Sequence, residues 1–316
     1  MEATTRGIFS ALLRTQQILM DLGVSRVIRR IPFAYPAYTF LYRRWAPRGE
    51  VFVETHGHKL FLDPRDMGMA RAFLLFRGQW EETETSLFCS LVKEGMTVVD
   101  VGANVGYYTL LAARLVGRSG RVVAFEPSPD NFALLKRNVE ANGYDNVVLV
   151  PKAVSDDSGT ARLRLDRSSS GGHSLSDFRG GADTVEVETI SLDEYFAGHD
   201  DRIDLLKVDA EGAEMAIFRG MQDVLARSPR LILLTEFFPR AIRSFGHRPE
   251  DYVRQLAGCG FRIHPIDENR GKIETLDPSQ VSELIEPLVA KRARKDVLNL
   301  LCVKGNGAAR YGEAAL

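Results

Sequence analysis

Cysteine is scarce in this chain: three residues among 316, Cys89, Cys259 and Cys302, widely separated. An odd number without paired spacing excludes a disulfide framework and a cysteine-built metal centre. The three read as small core residues of a reducing compartment. An excess of one charge is missing too. With 41 lysines and arginines against 42 aspartates and glutamates, the formal net charge is −1, so no global field recruits nucleic acid or an acidic partner. Long apolar runs are also lacking. The stretch from Gly7 to Val24 is interrupted by Arg14, Gln16, Gln17 and Asp21, whereas a membrane span needs about 18 apolar residues. It also lacks a small-residue cleavage site, so it reads as an amphipathic helix and the protein as cytoplasmic.

The segment after that helix is rich in arginine (Arg26, Arg29, Arg30, Arg43, Arg44, Arg48) with Phe33, Tyr35, Tyr38, Phe40 and Trp45 between. Such a segment reads either as a helical cap with a solvated face or as a peripheral contact for a membrane surface or an anionic carrier lipid. Val51 to Leu62 alternates as a short hairpin around Thr55-His56-Gly57-His58.

From Trp80 onward helix and strand alternate. Helices are expected over Thr83 to Lys93, Tyr107 to Val116, Pro129 to Asn142, Glu211 to Ala226 and Pro278 to Lys291. Strands are expected over Met96 to Val101, Arg121 to Phe125, Val147 to Pro151, Ile203 to Val208, Leu231 to Glu236, Phe261 to Ile266 and Val297 to Lys304. This alternation predicts an α/β fold: a doubly wound, Rossmann-like sheet of seven strands with helices on both faces. Thr160 to Leu165 and Thr184 to Ile190 stand outside it as two further strand-like segments. The polar, glycine-rich stretch between them, DRSSSGGHSLSDFRGGAD, reads as a mobile substrate lid over the carboxyl edge of the sheet.

The segment VVDVGANVGYYT, Val98 to Thr109, joins a buried strand to a glycine-punctuated turn and a helix. Gly102 and Gly106 leave room at the backbone, but Asn104 stands where the dinucleotide fingerprint G-x-G-x-x-G needs its second glycine. With Asp100 at the strand end, the pattern suits a cofactor that brings an ammonium and a carboxylate, which points to S-adenosylmethionine. Some twenty residues on, VVAFEP ends in Glu126, placed to accept both ribose hydroxyls. The same acid would serve a nicotinamide cofactor, so a nicotinamide-dependent sugar oxidoreductase is the alternative on a similar fold.

A third signal is LLKVDAEGAEMAIFRG, Leu205 to Gly220, which crowds charge at the end of an apolar strand. Asp209, Glu211 and Glu214 have a structural account as helix cap and first-turn acids; Lys207 inside the strand does not. The neighbouring strand ends in Glu236, expected beside Asp209 on the same crevice. Two acids there could deprotonate a hydroxyl or share a magnesium ion, but Phe237 stands where catechol-type methyltransferases carry an asparagine, so no metal ligand set is assigned. Asp209 or His173 is the candidate base for the acceptor proton, with Lys207 steadying a carboxylate or the acceptor oxygen.

VVDVGANVGYYTLLAA, VVAFEPSPDNFALLKRNVEAN, AVSDDSG, ISLDEY, DLLKVDAEGAEMAIFRGM and LLTEF occur in this order between Trp80 and Glu236. In combination they resemble the FkbM family of S-adenosylmethionine-dependent methyltransferases. The resemblance implies the methyltransferase variant of the doubly wound sheet and O-methylation of a hydroxyl on a sugar, glycolipid or secondary metabolite. It implies that Asp100, Gly102, Asn104 and Gly106 surround the methionine end of the donor, that Glu126 holds the ribose, and that adenine rests near Pro127, Ser128 and the turn from Ala153 to Asp156. Glu81 resembles an upstream acid that reaches the donor's amino group. The expected organisation is an N-terminal helical cap and hairpin over residues 1–75, a methyltransferase domain over 76–305 and a tail over 306–316. The expected partner is a small-molecule or glycan acceptor, with oligomeric state left open.

Overall fold

The computed structural model describes residues 2–21, 34–76, 78, 80–166, 169–175, 183–198, 202–268, 270–273 and 297–305. The expected helix from Pro278 to Lys291, the tail over 306–316, and Arg26, Arg29, Arg30 and Phe33 lie outside the described residues.

The chain divides into two compact units, Met1–Trp80 with Arg167–Gly171, and Glu81–Asp166 with Gly172–Leu316. The first holds α1 (Glu2–Asp21), α2 (Ala34–Trp45), the hairpin β1 (Val51–Thr55) and β2 (His58–Leu62), and α3 (Met69–Leu75). Its core gathers Phe9, Tyr42, Ala46 and Met67, with the Phe9 and Tyr42 rings edge to face at 5.0 Å. Asp66 starts α3 by accepting the N–H groups of Gly68 and Ala70. The same carboxylate accepts the N–H and hydroxyl of Ser170. No helix among the described residues is long and apolar enough to cross a membrane.

The second unit begins with α4 (Glu82–Leu91), then β3 (Thr97–Val101), α5 (Tyr107–Val116), β4 (Arg121–Phe125), α6 (Pro129–Ala141) and β5 (Val147–Val150). Next come β6 (Ala153–Val154), β7 (Gly159–Arg164), β8 (Thr184–Ile190) and α7 (Leu192–Tyr195). The chain continues with β9 (Leu205–Val208), α8 (Glu214–Arg219), α9 (Gln222–Arg227), β10 (Ile232–Phe237), α10 (Pro239–Ser244), α11 (Pro249–Gly258), β11 (Phe261–Asp267), β12 (Lys272–Ile273) and β13 (Leu298–Lys304). α5 and β4 occupy the expected residues, because apolar periodicity and flanking glycines agree there on both boundaries.

The sheet runs β12-β11-β13-β10-β9-β3-β4-β5. β5, β4, β3, β9 and β10 are parallel neighbours, and β13 is antiparallel to both β10 and β11. The seven expected strands are all present, and the two-residue β12 adds an eighth at the edge. Side chains such as Val98, Val99, Val122, Val123, Leu205 and Leu206 are buried because helices cover both faces of the sheet. The two strand-like segments outside the alternation form β7 and β8, which with the two-residue β6 make a separate three-stranded sheet ordered β6-β8-β7.

One expected helix is corrected. Glu211 to Ala226 is not continuous: Glu211 and Gly212 hold positive φ (47° and 100°), and the helical residues split into α8 and α9 at Gly220. A Cβ at Gly220 would fall 2.3 Å from the Ser155 carbonyl oxygen, so the chain passes too close to its neighbour there for any side chain.

Candidate functional site

The turn after β3 is built by hydrogen bonds to the next strand. The Gly102 and Ala103 N–H groups both donate to the Phe125 carbonyl at 3.0 Å, and Gly102 (φ 79°), Asn104 (φ 52°) and Gly106 (φ 94°) take left-handed conformations. The expectation gave the space beside Gly102 to a ligand. In the structure the Asp209 carbonyl occupies it: a Cβ on Gly102 would lie 1.9 Å from that oxygen. Beside Gly106 a Cβ would meet Leu135 Cδ1 at 2.6 Å. Glycine is required at 102 because the β3 and β9 turns approach each other there, backbone to backbone.

Glu126, at the end of β4, is 4% exposed. One carboxylate oxygen accepts the Asn104 N–H and the other the Ser128 N–H, each at 2.8 Å. Burial pushes its pKa up to about 7, against the lowering effect of those donors. The Asn131 side chain donates to the same carboxylate, so Glu126 is held from three sides. Asn104 Oδ1 is buried without a hydrogen-bond partner, an unmet acceptor at the turn itself. A backbone-held acid and an unmet side-chain acceptor beside a glycine turn fit a donor that brings ribose hydroxyls and an ammonium. Asp100 is turned inward, where Oδ2 accepts the Thr109 hydroxyl at 2.6 Å and ties β3 to α5. Burial raises its pKa to about 6.

The other residues expected at the donor site stand as follows. Glu81 is the left-handed N-cap of α4 (φ 40°) and accepts the Tyr108 hydroxyl at 3.3 Å. Burial, then the neighbouring Glu84 carboxylate, raises its pKa to about 8. Ala153 packs in β6 against Leu163 and Val187. Asp156 Oδ2 takes two hydrogen bonds from Arg219, at 2.8 and 3.1 Å. Pro127 is half-buried, and Ser128 is buried at the start of α6.

On β9, Lys207 is 3% exposed and its ammonium meets Glu84 Oε1 at 3.1 Å, Asp209 Oδ2 at 3.9 Å and the Tyr108 ring at 4.4 Å from the centroid. Burial pulls the amine's pKa down, but Glu84, Asp209, Glu81 and Asp100 together raise it above the ordinary lysine range. Asp209 is different: its side chain is 43% exposed. It does not cap a helix, because α8 begins five residues later with Ala213 as N-cap. Glu214 folds back so that Oε1 accepts the Gly212 N–H at 3.0 Å, while Oε2 is buried without a partner.

The register Thr235↔Val208 carries Glu236 to the place alongside Asp209. Burial, then the Asp209 charge, pushes its pKa well up, and Glu236 Oε2 is buried without a partner. Among the described residues no three His, Cys, Asp or Glu side chains group as metal ligands. His173 Nδ1 accepts the Asp166 N–H at 3.0 Å. The adjacent Ser174 donates its hydroxyl to the Glu211 carbonyl at 3.0 Å, so this part of the expected lid is tied to the β9 turn. Residues 167, 168 and 176–182 of that stretch lie outside the described residues.

Sequence reading missed Glu84, Asn299 and Glu268. The available signal was Lys207 itself: a lysine inside an apolar strand needs a buried carboxylate partner, and Trp80-Glu81-Glu82-Thr83-Glu84 is an acid-rich run next to the sheet.

A parallel sheet with the reversed strand β13 inserted between β10 and β11, and with a glycine turn and an acid at the tips of adjacent strands, is the methyltransferase class of doubly wound domains. The profile of the methyltransferase FkbM domain matches residues 100–263. The chain is also 30% identical over 177 residues to methyltransferase sdnD of Sordaria araneosa, covering 46% of this chain and 68% of that one. The chain belongs to the FkbM methyltransferase family. A shorter match, 37% over 67 residues, is to protein-L-isoaspartate O-methyltransferase 1 of Archaeoglobus fulgidus; it covers 21% of this chain and only 31% of that relative's length. Among solved structures, methyltransferase FkbM from Methylobacillus flagellatus aligns over 65% of this chain and 51% of its own, at 14% identity and a TM-score of 0.39.

Proposed function

We propose that the protein transfers a methyl group from S-adenosylmethionine to a hydroxyl of a sugar, glycolipid or secondary metabolite. The observation that supports this reading is the close approach of Gly102 to the Asp209 carbonyl, which puts the glycine turn after β3 side by side with the acidic end of β9. Family membership favours this reading over nicotinamide-dependent oxidation.

Glu126 holds the ribose hydroxyls, and the turn from Gly102 to Gly106 with Asn104 faces the methionine end. Glu81 takes the ammonium, and adenine lies by Pro127, Ser128, Ala153 and the backbone at Asp156. When bound, S-adenosylmethionine supplies a sulfonium-activated methyl carbon whose departure leaves a neutral thioether. Asp209, exposed at the edge, orients the acceptor hydroxyl in line with that carbon and takes its proton as the carbon–oxygen bond forms. His173 is the second candidate for this proton, and Glu236 lines the acceptor side.

Calorimetric titration with S-adenosylhomocysteine, with and without Glu126→Ala, tests the donor site. Saturable binding weakened by the substitution is expected; binding of NAD in its place would overturn the reading.

A further inference from the structure

The geometry points to Glu84 as a positioning residue for Asp209, acting through Lys207. The inference rests on the methyl-transfer reading and adds to it a residue outside both the glycine turn and the β9 motif. Glu84 is 1% exposed and is fixed from several sides. Its N–H is held by Glu268 Oε1 at 2.8 Å, Glu268 Oε2 takes the Thr83 N–H at 3.2 Å, and the Asn299 amide donates to Glu84 Oε2. The other oxygen, Oε1, meets the Lys207 ammonium at 3.1 Å.

Lys207 is in turn confined by the Tyr108 ring and by its place in the central strand, where it pairs with Asp100 on one side and Leu234 on the other. Its ammonium also faces Asp209 Oδ2 at 3.9 Å. Glu84, Lys207 and Asp209 thus form a chain of charged contacts running from the buried end of α4 to the exposed edge of β9. A leucine at position 207 would fill an apolar strand without the cost of burying an ammonium. The charged pair places a fixed positive charge under an otherwise exposed carboxylate, and so defines where that carboxylate stands when the acceptor hydroxyl arrives.

The test separates this from simple packing. Glu84→Gln alone leaves an uncompensated ammonium and lowers the melting temperature. Glu84→Gln combined with Lys207→Met removes both charges, keeps an acceptor for Asn299, and is expected to recover most of that loss. The paired variant is then compared with the unaltered protein in three ways: S-adenosylhomocysteine affinity by calorimetry, transfer of labelled methyl to a panel of sugars, glycosides and aliphatic alcohols, and a crystal structure with S-adenosylhomocysteine. The expected result is affinity within about threefold, kcat down at least about tenfold at little-changed KM, and the Asp209 carboxylate displaced. Asp209 in an unchanged position, or kcat restored together with stability, would overturn the proposal alone. Failure of the unaltered protein to bind S-adenosylhomocysteine would overturn the methyl-transfer reading, and this proposal with it.

Discussion

The Cβ that Gly102 lacks would fall 1.9 Å from the carbonyl oxygen of Asp209, and the obstacle is backbone, so no rotamer change relieves it. Gly102→Ala is therefore expected to cost about 3 kcal/mol or more, from left-handed strain plus forced separation of β3 and β9. Gly143→Ala is the control: φ is also positive (71°) but nothing lies within 4 Å of the added carbon, so only about 1 kcal/mol is expected. Thermal denaturation of both variants checks this, and equal losses would contradict it.

Buried acids give the ligand-free protein an inverted pH dependence. Burial raises Asp100 to about 6, Glu126 and Glu214 to about 7 and Glu81 to about 8. Between the ordinary carboxylate range and about pH 8 the folded state binds more protons than the unfolded chain, so stability falls as pH rises through that window. The melting temperature should be higher near pH 5.5 than near pH 8.5, and Glu126→Gln should flatten the slope. A melting temperature that climbs steadily with pH would refute the assignment.

Asp209→Asn keeps shape while removing the proton acceptor. S-adenosylhomocysteine affinity is expected to stay close to that of the unaltered protein, while turnover drops by roughly a hundredfold or more. Isothermal titration and a labelled-methyl assay read the two effects separately. Unchanged turnover would transfer the base role to His173.

The pair between Arg219 and Asp156 is 40% exposed on each side chain. Arg219→Ala should therefore cost no more than about 1 kcal/mol and shrink further in high salt. Urea denaturation at two ionic strengths measures it; a larger, salt-insensitive loss would mean the pair orders the turn by the proposed adenine site.

The glycine turn and the acid that faces it were legible because their signals are local. Tyr107–Val116 and Arg121–Phe125 begin and end where periodicity and glycines place them, and Glu126 closes its strand at the expected distance from the turn. The acidic half was legible as a composition but not as an arrangement. Asp209 kept a structural account as a helix cap beside its reading as a base until the structure put the start of α8 at Glu214, and the left-handed Glu211 and Gly212 that delay the helix carry no periodic signal. Glu84, in α4, was invisible because its significance lies in a partner more than a hundred residues away, on the strand β9.

The order of residues along the chain was enough for the alternation, the parallel sheet, the glycine turn and the chemical type of the residues at its edge, because each depends on neighbours within a few positions. Folding in three dimensions settled what those residues meet. Gly102 admits the Asp209 backbone, Asp100 turns in to Thr109, and Lys207 divides its charge between Glu84 and Asp209. The physical reason is that a buried charge or a missing side chain acquires its role from whatever group the folded chain brings within a few ångströms, and strand order sets that company.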